Sequence, residues 1–205
     1  MVHTSRHHLS TPLVASAKQR QKPVNARPLT TADAAQVGDK SDSGIDPKRF
    51  RDVLGRYPTG VTVVTAIGDD GRPAGLAVGS FTSVSLNPLL VAFLPDRNSS
   101  TFHKMRSAGS FCVNVLASDQ EPVCRAFAAK GDDKFSGINW TPAPSGAPRL
   151  AGIIAWIDCD IHAIHEAGDH YIVIGRVRNL DRLQDKAPLI FHQGGYGSIT
   201  ELPRG

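Results

Sequence analysis

Two runs of hydroxyl side chains are the part of this sequence best suited to holding an oxygen-rich ligand. Ser80, Thr82, Ser83 and Ser85 interrupt an otherwise apolar stretch, GLAVGSFTSVSLNPLLVAF, over residues 75–93. Ser99, Ser100 and Thr101 follow within NSSTF, residues 98–102. A hydroxyl both donates and accepts hydrogen bonds, so several together match a ligand carrying many oxygens. The second run falls where a short helix is expected to start. Unpaired backbone N–H groups and the helix dipole favour a phosphate at such a place.

Other chemistries find less support. His162 and His165 form an HxxH with His170 close by, but on a strand residues three apart point to opposite faces and cannot chelate together. No metal site is therefore expected. Cys112, Cys124 and Cys159 are odd in number and widely spaced, which excludes a full disulfide framework and a CxxC site. They read as small core hydrophobes. Asp132 and Asp133 are adjacent acids on a polar loop and read as solvated. No GxSxG, P-loop or strand-following GxGxxG is present, so three common enzyme templates are missing.

The elements that must position the hydroxyls can be read from periodicity and turn chemistry. Asp46 is an N-cap and Pro47 a first helical residue. Phe50, Val53, Leu54 and Tyr57 then make one apolar helical face that ends at Pro58. VTVVTAI (61–67) is a strand and GDDGRP a turn. Residues 74–86 and 89–94 are two strands around Asn87-Pro88. Ser99 caps a helix running through Arg106 and closed by Gly109. SFCVNVL is a strand and QEPVCRAFAA a short helix. From Ile153 the pattern alternates, with Ile153, Ala155, Ile157, Cys159 and Ile161 on one face and Trp156, Asp158, Asp160 and His162 on the other. EAGD turns the chain, HYIVIGRVRNL returns as the hairpin partner, and APLIFHQG supplies a last strand. Six or seven strands with a few short helices make a mainly β protein, an antiparallel barrel that is closed or nearly so.

Composition limits the function classes. The net charge is +4, but it is unevenly placed. Residues 1–44 hold six Lys or Arg and three Asp, which leaves 17 basic and 16 acidic residues in the rest of the chain. The body is nearly neutral and shows no basic stripe with interleaved aromatics, so nucleic acid is not an expected partner. No apolar run is long enough to span a bilayer, and no signal-peptide core opens the chain. A cytoplasmic location is expected. Residues 1–44 are rich in Ser, Thr, Ala, Pro and Gln without apolar periodicity and read as a disordered leader. A transit peptide would share the lack of acids before Asp33 but calls for stronger amphipathicity. Residues 45–205 are the expected folded domain.

From Phe50 to Ile199 the chain resembles the flavin reductase-like split-barrel family, in particular the reductase components of two-component flavin-dependent monooxygenases. The likeness is carried by YPTGVTVVT (57–65), SFTSVSLNPLLVAF (80–93), FCVNVL (111–116), FAAKGDDKFSGI (127–138) and GDHYIVIGRV (168–177). Gly79 stands where relatives often carry a polar side chain, and Leu89 replaces a second proline. The resemblance implies an antiparallel split β-barrel of the FMN-binding, Greek-key type. It also implies that the oxygen-rich ligand is FMN or FAD. Ala77, Gly79 and Ser80 would line the isoalloxazine edge, and Ser83, Val84 and Ser85 would approach the ribityl chain and phosphate. Pro95, Asp96, Ser100 and Thr101 would complete that wall, and Phe127 would close the pocket. Gly168, Asp169 and His170, with Phe191, His192, Gln193, Gly194 and Tyr196, would meet NADH or NADPH.

The implied activity is an NAD(P)H:flavin oxidoreductase that passes reduced flavin to a separate monooxygenase, with the pocket at a homodimer interface and His170 orienting the nicotinamide. Such hydride transfer needs stacked rings about 3–3.5 Å apart and no strong base, which agrees with the missing catalytic templates. The alternative is a split-barrel flavin sensor or carrier without turnover, because fold alone does not fix function. The GDH and FHQGGY segments discriminate, since a pure binder has no use for a nicotinamide site.

Overall fold

The computed structural model describes residues 44–131 and 133–200. The expected leader lies outside the described residues except for Gly44, and so does Asp132. Helix α1 (Pro47–Leu54) starts where the sequence places it, with the Asp46 carboxylate accepting from the Lys48 backbone N–H at 3.0 Å. Strand β1 (Thr59–Gly60) and then β2 (Thr62–Ile67) lead through a tight turn into β3 (Pro73–Val78). Strands β4 (Thr82–Leu86) and β5 (Leu89–Phe93) follow, then α2 (Ser100–Met105), β6 (Ser110–Val115) and α3 (Glu121–Ala128). A short ribbon of β7 (Trp140–Pro142) and β8 (Pro148–Leu150) precedes the long hairpin of β9 (Ala155–Ala167) and β10 (His170–Arg182). Strands β11 (Ile190–His192) and β12 (Gly195–Gly197) make a small sheet with β1.

The main sheet has seven strands in the order β3-β2-β6-β9-β10-β5-β4, all neighbours antiparallel. Its two edge strands, β3 and β4, are consecutive in sequence. Laid flat, six inter-strand gaps would hold them roughly 29 Å apart. The link from Val78 to Thr82 is four residue steps and reaches about 14 Å at most. The sheet must therefore curl until its edges face each other, with no ladder bonds joining them. This is a barrel split along one seam, and the seam lies at Gly79, Ser80 and Phe81. Ser80 pins the link to the end of β5: its Oγ accepts from the Leu94 N–H at 3.0 Å and sits 3.3 Å from the Leu94 carbonyl.

Two sequence expectations change here. Residues 74–86 are not one strand, because the chain breaks at the seam into β3 and β4. Strand β4 is an edge, so Thr82, Ser83 and Val84 are exposed and the hydroxyls there meet solvent rather than core. The polar face expected on β9 is also partly interior: Trp156 and Asp158 are buried. Asp158 is tolerated because the turn between β7 and β8 reaches it, through the Ser145 hydroxyl and the Ser145 N–H at 2.9 Å. Asn114, equally buried, ties the same ribbon to the sheet by accepting from the Leu150 N–H at 2.8 Å and donating to the Val63 carbonyl at 3.1 Å. Inside the barrel, Phe93, Phe102 and Phe111 pack edge to face. A second apolar cluster holds Leu116, Phe127, Leu150 and Ile153 outside it.

Candidate functional site

A cleft of about 670 Å³ opens at the seam. The end of β3 gives it Leu76, Ala77, Val78 and Gly79, and the link adds Ser80. The segment after β5 contributes Leu94, Pro95, Asp96 and Ser99, α3 contributes Phe127 and Ala128, and His170 enters from the start of β10. The structure thus brings Ala77, Gly79, Ser80, Pro95, Asp96 and Phe127 into one cavity together with His170.

Close packing holds this wall in place. A Cβ on Gly75 would meet the Phe127 ring at 2.6 Å, so the glycine is what lets that ring pack against β3. Phe135 buttresses Phe127 edge to face at 4.9 Å. A Cβ on Gly79 would meet Thr59 Oγ1 at 2.6 Å. The space a polar side chain would need at that position is filled here by Thr59.

His170 is set by its neighbours on both sides. Its residue pairs with Asp96 in an isolated bridge, and the Tyr171 N–H donates to the Pro95 carbonyl at 2.9 Å. Asp169 Oδ1 lies 2.7 Å from His170 Nδ1, and that hydrogen bond holds the Asp169 carboxyl below its usual range. At neutral pH Asp169 is therefore a carboxylate acceptor that fixes the ring. Arg97, which the sequence reading did not single out, secures the turn itself. Its N–H donates to the Asp169 carbonyl at 2.9 Å, and its guanidinium reaches the Gly168 carbonyl at 3.3 Å and Glu166 at 3.6 Å.

Several expected residues lie elsewhere. Ser83, Val84 and Ser85 are on β4, outside the cleft, and the Ser85 hydroxyl accepts from the Asn87 N–H within its own turn. Ser100 is exposed and outside it too, while Ser99 lines the cleft and caps α2 through the Phe102 N–H at 3.2 Å. Thr101 faces a separate small recess with Arg72, Lys104 and Lys134. Lys134 belongs to both cavities and donates to the Phe127 carbonyl at 3.0 Å.

The second half of the expected nicotinamide site is not in the seam cleft. Phe191, His192, Gln193, Gly194 and Tyr196 form the β11–β12 hairpin, whose turn places Gln193 at φ 51° and Gly194 at φ 80°, as a two-residue hairpin turn requires. His192 and Tyr196 line another cleft of about 320 Å³ beside Pro58. Tyr196 Oη lies 3.3 Å from Cys124 Sγ, with the Arg125 guanidinium 5.0 Å from the ring centre. The Gln193 N–H donates to the Gly55 carbonyl at 3.1 Å, and its amide oxygen, turned to Arg56, accepts from Nε at 3.0 Å and Nη1 at 2.8 Å. Gln193 is thus committed to the end of α1. Among the described residues no group of three or more His, Cys, Asp or Glu could hold a metal ion. Among them, too, no helix is long and apolar enough to cross a membrane.

Residues 54–200 match the Flavin reductase like domain. The chain belongs to the flavin reductase-like family. It is 56% identical over 160 residues to a flavin reductase of Pseudomonas putida, covering 78% of this chain and 94% of the relative. It is 45% identical over 169 residues to the reductase subunit HsaB of a flavin-dependent monooxygenase of Rhodococcus jostii (strain RHA1), covering 82% of this chain and 84% of the relative. Among solved structures, nitrilotriacetate monooxygenase component B from Mycobacterium thermoresistibile superposes with a TM-score of 0.74 at 38% identity, over 80% of this chain and 94% of that one. The NADH:FAD oxidoreductase SgcE6 of Streptomyces globisporus C-1027, in complex with NAD and FAD fragments, gives 0.71 at 37% identity over 76% and 96%. The family match spans every strand and the seam cleft except Phe50; it begins at Leu54, leaving the rest of α1 outside it.

Proposed function

We propose that this chain is an NAD(P)H-dependent flavin reductase that releases reduced FMN or FAD to a separate monooxygenase. The observation that carries the reading is the seam cleft. One cavity of about 670 Å³ joins the β3 end, the Ser80 link and Phe127 to His170, a size proper to a drug-sized planar ligand. The residues fit a flavin: Ala77 and Phe127 give an apolar wall, and Ser80, Asp96 and the backbone beside them give polar groups along one edge. A bound flavin supplies the hydride acceptor, so what the protein provides is binding and orientation. Phe127 holds the ring plane, His170, fixed by Asp169, orients the nicotinamide, and the apolar wall keeps water out. Gly168, Asp169 and His170 are the nicotinamide end of the site. The reductase names of the relatives support both the activity and the separate oxygenase. A homodimer is part of this reading, supported by Tyr57 just after α1 and by Val84, Leu86 and Leu89 on the β4–β5 hairpin, which are apolar and exposed. So is a cytoplasmic location.

The test is anaerobic stopped-flow mixing of the purified chain with FMN or FAD and each nicotinamide. Nicotinamide oxidation should depend on added flavin and should yield free reduced flavin. If flavin binds and neither donor reduces it faster than in buffer, the chain is a carrier.

A further inference from the structure

Helix α1 has an apolar stripe that the fold does not bury. Phe50 and Leu54 are each 56% exposed and Val53 is 58%, and Tyr57, just past the helix, is 76%. An eight-residue helix has little stability of its own in water. Here it is held at its ends, by the Asp46 cap and by Gln193 on Gly55 and Arg56, and not along its apolar side. Residues four apart stack in one row on a helix, so Phe50 and Leu54 form one row with Val53 beside it, while Tyr57 lies past the helix end. Their surroundings differ: Phe50 and Leu54 line the seam cleft, and Val53 and Tyr57 do not.

We propose that the Phe50–Leu54 row is the outer apolar wall of the flavin cleft and packs on the isoalloxazine ring, so that flavin binding buries this row. This rests on the flavin reading above. The row lines the same cavity as Ala77 and Phe127. Neither side chain offers a polar group, so its natural contact is the flat hydrocarbon of a tricyclic ring rather than the ribityl chain or phosphate. Phe50 and Leu54 are not buried in the core, and both face the cleft.

The test titrates the full chain with lumiflavin (the bare ring), riboflavin, FMN and FAD by quenching of flavin fluorescence, without nicotinamide. Phe50→Ser and Leu54→Ser should each weaken all four by about tenfold, the loss of one apolar ring contact. Val53→Ser, beside that row and outside the cleft, should bind all four as wild type does. Melting temperatures of the three variants should stay close to wild type. As a second measurement, Phe50→Trp should show tryptophan emission quenched by lumiflavin, and Val53→Trp should not. The proposal fails if wild type binds lumiflavin and Phe50→Ser binds it equally well. It fails if Phe50→Ser raises only the nicotinamide KM, or only dissociates a dimer. If wild type binds none of the four, the flavin reading itself is wrong.

Discussion

Two helices of eight residues border the cleft, and they meet it in opposite ways. Both carry a proline in the first turn and an apolar side. In α3 that side is interior: Cys124 and Phe127 are buried, and Gln120, ahead of the helix, locks the approach by accepting from Ala117 and donating to Ala151. In α1 no residue is buried. Helical periodicity says which side of a helix is apolar; it does not say what covers that side. One helix is a wall built from the core, and the other stands ready for a ligand or a second copy.

The sharpest way to break this comparison is to truncate one ring from each helix. Phe127→Ala should cost about 3–5 kcal/mol of stability, as large aromatic deletions in cores do, and should abolish tight flavin binding. Phe50→Ala should change stability by about 0.5 kcal/mol or less, as at an exposed site. Paired denaturant titrations read the contrast, and equal losses would show that α1 is part of the core. Gly75→Ala attacks α3 from the other side. Its Cβ would meet the Phe127 ring at 2.6 Å, and the forced shift should cost about 1–3 kcal/mol, seen as a lower midpoint at unchanged slope.

Much of this arrangement was legible in the sequence. Caps and periodicity placed α2, α3 and the start of α1 within a residue or two, although α1 ends at Leu54, three residues short of the expected Tyr57, and alternation gave the β9–β10 hairpin. Three things were hidden, each because the deciding partner is far along the chain. The split of residues 74–86 at Gly79 follows from barrel curvature, which no local pattern records. The burial of Asp158 depends on Ser145, which belongs to another ribbon. The exposure of β4 follows from its place at the sheet edge, so Ser83 and Ser85 look like Ser80 in sequence and differ in structure. The seam cleft was readable in part: residues from GLAVGS, the segment after β5, and His170 converge there, but the FHQGGY segment does not join them. Arg97 and Lys134 left no periodic signal, although Lys134 lies within the quoted FAAKGDDKFSGI.

The nicotinamide end gives a finer test. His170→Ala should raise the nicotinamide KM up to about tenfold, the loss of one oriented hydrogen bond, and leave the flavin Kd unchanged. Equal loss of flavin binding would make His170 a structural residue. Gln193→Ala separates two roles for the hairpin. If Gln193 acts through α1, the variant should weaken lumiflavin a few-fold and leave the nicotinamide KM alone. A change confined to KM would return Gln193 to the nicotinamide site.

The smallest effect concerns the thiol of α3. Burial raises the pKa of Cys124, with the Tyr196 hydrogen bond and Arg125 acting the other way. Burial, aided by Asp158, pushes Cys112 and Cys159 up to about 12. The thiolate is the reactive species, so at pH 8 an aromatic disulfide reagent should modify none of the three within minutes, and all three in guanidinium. Cys124 should be the first to react as the pH rises, since two neighbours partly offset its burial. The comparison between the helices then has a direct readout. Phe127→Ala, which loosens α3, should make Cys124 reactive at pH 8. Phe50→Ser, which touches only α1, should leave it silent. Fast labelling of Cys124 in the wild-type chain would mean that α3 opens readily, and the contrast between a core wall and a ligand wall would collapse.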